Sequence, residues 1–391
     1  MRILHVISSV NPQGGGPIEV VKQLGHINSS YGRSVEVVCL DPPDAPWLQD
    51  FPFKLYALGP GISNYRYSKY LIPWMRQNAT HYDAVILNGI WQYSSFGTWL
   101  ALRSFPKNQV PPPYFVFTHG MLDPWFKYTY PLKHLKKWLY WPWGEYRVLR
   151  DAQAVLFTCE EEKLLARQSF WLYQCKEVVV NYGTTKPNGN SEAQRQLFLE
   201  QFPHLRSKRL LLFLSRIHVK KGCDLLIEAF ARVVGSDDSL HLVIAGPDQT
   251  GWKTTLQRQA KHLGIEQKIT WTGMLSGDVK WGAYHAAEVF VLPSHQENFG
   301  IAVAEAMACG VPVLISNKVN IWREIEADGA GLVANDDLTG TIELLQKWLR
   351  MLPNAQQAMR HNAKQCFVER FEAHQAVQSL IDVLLANGVT L

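Results

Sequence analysis

Glu297-Asn298-Phe299-Gly300-Ile301-Ala302-Val303-Ala304-Glu305-Ala306-Met307-Ala308-Cys309-Gly310-Val311-Pro312-Val313 reads as a loop, a helix and then a strand. Phe299-Gly300 opens the segment, Ala304 to Ala308 favour helix, and Gly310 followed by Pro312 stops it. With Asn298 near the N-cap, Glu297 sits just outside the helix and Glu305 well inside it. The eight intervening positions rise about 12 Å and turn through two revolutions plus roughly 80°, so both carboxylates can face one cleft. Between them lies a helix start whose free N–H groups and positive dipole end suit a phosphate. The layout fits a nucleotide sugar: one carboxylate for sugar hydroxyls, the helix start for the diphosphate, the other carboxylate for ribose.

Outward from this segment, short apolar runs recur: Ile3–Ile7, Val35–Leu40, Ala84–Leu87, Phe115–Phe117, Ala154–Phe157 and Val178–Val180. Most alternate with stretches of helical periodicity such as Ile18 to Ile27 and Tyr93 to Leu102, the pattern of a parallel sheet covered by helices. Lys186-Pro187-Asn188-Gly189-Asn190-Ser191 interrupts the pattern near an interdomain linker. It restarts at Leu210–Leu214, Leu242–Ala245, Ile269–Trp271, Val289–Leu292 and Val311–Ile315. The expectation is an α/β chain of two doubly wound, Rossmann-like domains facing each other across a cleft, spanning 1–185 and 186–369. Ligand would lie at the C-terminal strand edges. A last helical region around Gln365 to Ala386 ends the chain.

The 391 residues exceed one typical core, and 47% hydrophobic against 19% charged residues indicates a folded chain. A net charge of +5 gives no argument for nucleic acid. Cys39, Cys159, Cys175, Cys223, Cys309 and Cys366 are scattered without Cys-x-x-Cys pairs, so free thiols in a reducing compartment are expected rather than disulfides or zinc. The N-terminal apolar run reads as a buried strand, and no stretch approaches a membrane span, which points to the cytoplasm.

Four further segments carry chemistry. Ser215-Arg216-Ile217-His218-Val219-Lys220-Lys221-Gly222 follows a strand, and its Arg216 and Lys221 can grip a pyrophosphate as it leaves. Gly14-Gly15-Gly16-Pro17 allows close backbone approach to an anion, yet it is neither a P-loop nor a dinucleotide fingerprint. Thr118-His119-Gly120-Met121 ends a strand, with Asp123 nearby as a candidate for acceptor hydroxyls. Thr272-Gly273-Met274-Leu275 follows the Ile269–Trp271 run and is either a plain turn or a ligand-facing loop. No Asp-x-Asp occurs, so a metal-bridged diphosphate has no support and no metal or cofactor is expected.

Residues 125–150 are aromatic and basic: Lys127, Lys133, Lys136, Lys137, Arg147 and Arg150 oppose only Glu145. Two readings stand. One is a peripheral membrane patch on the inner membrane face, with aromatics at headgroup depth. The other is a domain helix that buries its Leu and Trp residues and leaves its lysines in water.

The Glu-x7-Glu run, with Arg216 and Lys221-Gly222 before it and Thr-Gly between, resembles the signature of retaining glycosyltransferase family 4, whose members have the GT-B fold. The resemblance implies a metal-independent retaining hexosyltransferase. Its donor would be a nucleotide-diphosphate sugar, UDP-glucose first, and its acceptor a sugar or lipid-linked sugar in cell-surface polysaccharide biosynthesis. By the same resemblance, His119, Arg216, Lys221 and Glu297 carry the chemistry. Gly15 and Gly16 face the donor phosphate and acceptor; Thr272, Gly273 and Met274 form the base loop. Asn298, Phe299, Gly300, Ile301 and Glu305 complete the donor site. Asn298 departs from the Gly that many members carry before Phe-Gly. Residues 370–391 would pack back on the first domain as the GT-B last helix does. A GT-B nucleotide-sugar epimerase and a silent nucleotide-sugar-binding scaffold subunit are the alternatives.

Overall fold

The computed structural model describes residues 1–12, 16–106, 108–235 and 237–390. Two all-parallel sheets organise it. The first contains β1 (Arg2–Ile7), β2 (Ser34–Cys39), β3 (Lys54–Ala57), β4 (Ala84–Asn88), β5 (Tyr114–Phe117), β6 (Ala154–Phe157) and β7 (Glu177–Val179), in the order β3-β2-β1-β4-β5-β6-β7. The second contains β8 (Arg209–Leu214), β9 (Leu240–Ala245), β10 (Ile269–Gly273), β11 (Ala287–Leu292), β12 (Val313–Ser316) and β13 (Gly331–Ala334), in the order β10-β9-β8-β11-β12-β13. Each is a Rossmann-like α/β arrangement. The order reverses between β1 and β4, and again between β8 and β11, which are the switch points where such sheets place ligands.

The central strands are legible because helices cover both faces, so their residues form unbroken buried apolar runs, as in Ala84–Leu87 and Leu210–Leu212. Two strands have no counterpart in the expected set, Lys54–Ala57 and Gly331–Ala334. Both are four-residue edge strands with mostly half-buried side chains, so they lack the signature of a doubly covered strand.

The chain divides into two compact units, Met1–Gly183 with Ala373–Leu391, and Thr184–Glu372. The final helical region is not continuous. A helix at Pro353–Cys366 runs into a π-helical turn at Phe367–Phe371, Glu372 is extended, and a separate helix spans Ala373–Ala386. This last helix buries Ala376, Val377, Leu380, Ile381 and Leu384 within the first unit, where it packs on the helix Gly16–Ser30. All six cysteines are free thiols, and Cys39, Cys159, Cys223 and Cys366 are buried.

Candidate functional site

In the second unit the site grows from the ends of β8 and β11. Past β8, the Ser215 N–H donates to Ala245 O (3.0 Å) and the Ile217 N–H to Pro247 O (3.0 Å), tying the chain to the end of β9. A single helical turn follows at Val219–Lys221, where His218 Nδ1 accepts from the Lys220 N–H at 3.1 Å. The loop after β11 then captures that turn: the His295 N–H and the Ser294 hydroxyl both donate to Lys220 O, at 2.8 and 3.0 Å. Gly222 makes the fit possible. Its φ is +68°, and a Cβ there would stand 2.1 Å from Pro293 O, so only glycine permits this approach.

These constraints leave Lys221 only 5% exposed, with its Nζ in contact with Glu297 Oε2. Burial pulls the Lys221 ammonium down to about 7, and the positive charges of Lys220 and Arg216 act in the same sense. The Glu297 carboxylate opposes that shift. Arg216 is exposed and, among the described residues, has no side-chain hydrogen bond or ion pair.

The Glu297 loop is held by the turn after β12. The Glu297 N–H donates to Lys318 O (2.9 Å), the Asn320 N–H donates to Glu297 O (3.0 Å), and Asn320 Nδ2 reaches Asn298 Oδ1 at 3.4 Å. The helix spans Ile301–Ala308 with Gly300 as N-cap at φ +77°, two residues later than the expected start at Asn298. A left-handed glycine turns the chain more sharply than an asparagine cap, and Asn298 stays in the loop. The first helical N–H groups, at Ile301 onward, therefore face the same strand ends as Lys221.

Phe299 is buried and packs edge-on against Phe371, so its ring anchors the loop and only its backbone is open to a donor. Glu305 is buried, accepting from Lys280 Nζ (2.7 Å) and the Tyr284 hydroxyl (3.0 Å), two partners that no local pattern pairs with it. Thr272 and Gly273 belong to β10 rather than to a following loop, and the Gly246 N–H donates to Gly273 O at 2.8 Å. Met274 is exposed just beyond.

In the first unit, His119 lies in the turn two residues past β5 with a φ of +47°, a left-handed conformation that costs a non-glycine residue about 1 kcal/mol. Glu162 enforces it from both sides. Its Oε1 accepts from the Thr118 hydroxyl (2.7 Å) and the Gly120 N–H (2.6 Å), and its Oε2 accepts from the N–H and hydroxyl of Thr158 (both 2.7 Å). Sequence reasoning missed this residue. Its signal was present in degraded form: Cys159 caps the helix Glu160–Ala166 and Glu162 stands three positions on, a capping box with Cys in place of Ser or Thr.

Asn88, at the end of β4, fixes the ring chemistry. Its Nδ2 donates to Ile86 O (3.2 Å) and faces His5 Nδ1 (3.2 Å), so its Oδ1 is the atom that meets His119 Nε2 at 3.4 Å. The network assigns the His119 proton to Nε2, leaving Nδ1 as an acceptor for a hydroxyl. Burial pushes His119 down to about 3 and His5 to about 4, so both rings are neutral near pH 7. As pH falls from the ordinary 6.5 toward 4, the unfolded chain takes up a proton that folded His5 does not. Stability therefore falls on acidification, by up to about 1.4 kcal/mol per pH unit for each such ring. Urea midpoints across this range should show a shallower slope in His5→Gln; equal slopes would refute the assignment.

Beside this turn, a cavity of about 400 Å³ opens at the ends of β1 and β4, its lining mixing apolar Ile7, Ile18 and Met121 with polar Asn11, Arg66 and Asn88. Gly16 begins the helix Gly16–Ser30, whereas Gly15 lies outside the described residues. The Asp123 Oδ1 accepts from the Trp125 N–H at 2.8 Å, so this carboxylate caps the helix Trp125–Thr129. No group of His, Cys, Asp and Glu among the described residues is arranged to hold a metal.

Residues 194–383 match the family of glycosyl transferases group 1, and residues 15–183 match the glycosyl transferase 4-like domain. The chain is a GT4-type glycosyltransferase of the GT-B fold. Mannosylfructose-phosphate synthase of Agrobacterium fabrum is 30% identical over 187 residues, covering 45% of this chain and 41% of that protein. The chain thus aligns with less than half the length of this curated relative. Among solved structures, sucrose-phosphate synthase of Thermosynechococcus elongatus superposes with a TM-score of 0.75 at 18% identity over 99% of both chains. Anabaena HepE in complex with UDP and glucose gives 0.75 at 17% identity, over 99% of this chain and 100% of that one. At these identities the likeness is one of fold, and it extends through both units of this GT-B chain.

Proposed function

We propose that this glycosyltransferase moves a hexosyl group from a nucleotide-diphosphate sugar, UDP-glucose first, to a sugar or lipid-linked sugar acceptor in cell-surface polysaccharide assembly, with retention and without a metal. One observation carries the reading: a buried lysine held against Glu297, beside exposed Arg216 and the helix start at Gly300. Burying an ammonium next to two other cations is costly, the single Glu297 carboxylate in contact with it leaves the cluster net positive, and an incoming diphosphate would neutralise that excess. The HepE complex with UDP and glucose lends the donor choice its support.

In this reading the bond between C1 and the β-phosphate oxygen loosens into an oxocarbenium-like state. Arg216, Lys221 and the N–H groups after Gly300 stabilise the departing diphosphate, and Glu297 with Asn298 orients the sugar. The acceptor hydroxyl forms the new C1–O bond on the same face, and its proton passes to the leaving phosphate. Backbone groups of Thr272 and Gly273 with Met274 take the base, and Glu305 takes the ribose. His119 receives a sugar hydroxyl at Nδ1, and the cavity beside Asn88 and Arg66 accommodates the acceptor.

The deciding assay is UDP release from a panel of nucleotide sugars, with and without candidate acceptors and with EDTA present. Release from one donor, changed less than about twofold by EDTA, is expected because the protein's own cations neutralise the diphosphate. Turnover that requires added divalent metal would overturn the mechanism. Donor interconversion without UDP release would assign an epimerase, and tight donor binding with no chemistry under any acceptor would assign a binding subunit.

A further inference from the structure

The segment Trp125–Arg150 is built inside out. Its helix Pro131–Tyr140 has no buried residue, and the structure decides which face it turns inward. His134 stacks on Phe170 with centroids 4.7 Å apart, Lys137 lies 4.5 Å over the Trp91 ring, and Trp141, fully buried, stacks on the same Phe170 at 4.6 Å. The Tyr140 hydroxyl is hydrogen-bonded to that of Tyr65 at 2.8 Å. These inward positions, spaced by three and four, leave Leu132, Leu135 and Leu139 roughly half a turn away on the opposite side. The three leucines are 82%, 53% and 62% exposed, and Trp143 beyond them is 68% exposed. The bland reading of the sequence, leucines buried and lysines in water, is therefore overturned for the leucines: polar and aromatic residues occupy the inner face.

The charge around this apolar stripe has one sign. Lys127, Lys133 and Lys136 are exposed around it, Arg150 is paired with Asp151 at 2.7 Å on the separate helix Glu145–Asp151, and Glu145, the single acid from 124 to 150, is completely buried, accepting from the Trp91 N–H and the Ser95 hydroxyl. No helix of the described residues is long and apolar enough to cross a membrane. Pro131 starts the helix and Pro142 follows it, limiting the stripe to about 15 Å, enough to lie in an interface but not to penetrate one.

We propose that the outward face of Pro131–Trp143 is a peripheral membrane-binding surface. It would seat Leu132, Leu135, Leu139 and Trp143 at headgroup depth and hold anionic phospholipid with its flanking lysines. Aliphatic and Trp side chains bordered by lysines, with no acid between Trp125 and Trp143, match a negatively charged bilayer surface in both polarity and charge. The surface operates independently of the donor chemistry above.

Vesicle co-sedimentation of the full chain tests it without any nucleotide sugar, so failure here leaves the transferase proposal standing. Binding to phosphatidylglycerol-containing vesicles should exceed binding to pure phosphatidylcholine by at least about tenfold at low salt and weaken as salt rises. Leu132→Asp with Leu139→Asp should abolish that gain, and Lys133→Glu with Lys136→Glu should lower it, both with unchanged circular dichroism and thermal midpoint. Absence of binding to anionic vesicles, or equal binding by the leucine variant, would overturn the proposal. So would a dimer in light scattering that the leucine variant dissociates, which would assign the face to a second copy of the chain.

Discussion

Lys221→Ala should lower kcat by about 10²–10³-fold, the scale on which removal of one preorganised charge-stabilising donor acts. The backbone of this residue is placed by contacts that do not involve its side chain, whose Nζ meets Glu297. The Lys220 carbonyl is clamped by His295 and Ser294, and Gly222 is pressed against Pro293. The fold should therefore survive the truncation, and unchanged circular dichroism is the control. Lys221→Arg should not rescue the rate, since a planar guanidinium does not fit a cradle shaped for a compact ammonium. The pH dependence supplies a second readout. Because burial lowers Lys221 to about 7, an incoming diphosphate must bring a proton with it above that pH. Donor affinity should accordingly decline as pH rises past 7 in the wild type and lose that decline in Lys221→Ala. Full activity in the alanine variant, or an identical pH profile for donor binding, would remove Lys221 from the reaction.

Glu162→Ala should destabilise the protein by about 3–5 kcal/mol, because it strands four donors that converge on one buried carboxylate. Glu162→Gln is the more instructive change. Each wild-type oxygen faces one backbone N–H and one hydroxyl, so the amide nitrogen must confront an N–H whichever way it points, and only the hydroxyl can rotate to suit it. The glutamine variant should lose roughly half as much stability. Both variants should also release the left-handed strain at His119, since Thr118 and Gly120 on either side are what the carboxylate holds. Glu162 is thus a positioning residue. Its mark in kinetics would be a fall in kcat in Glu162→Gln under conditions where urea titration shows it fully folded. A Glu162→Gln protein with wild-type stability and rate would dismiss the assignment.

The amino-acid sequence determined the two-sheet α/β architecture, since strands covered on both faces must be continuously apolar, and that constraint is visible one residue at a time. The short edge strands Lys54–Ala57 and Gly331–Ala334 escaped because one-sided cover imposes no such run. The sequence also marked Arg216, Lys221 and Glu297, because strand-to-helix loops keep their chemistry within a few residues of a recognisable strand end. It could not tell which inner partner each group would find. Glu162 meets Thr118 from 44 positions away, and Glu305 meets Lys280 from 25. Such pairings depend on how sheets and helices stack, not on local preference. The same holds for Pro131–Tyr140, whose leucines and aromatics are all apolar to a sequence reader. Only packing decided the matter: the buried rings of Trp141 and Phe170 fill the inner space, and the leucine stripe on the other side of that short helix is left facing out.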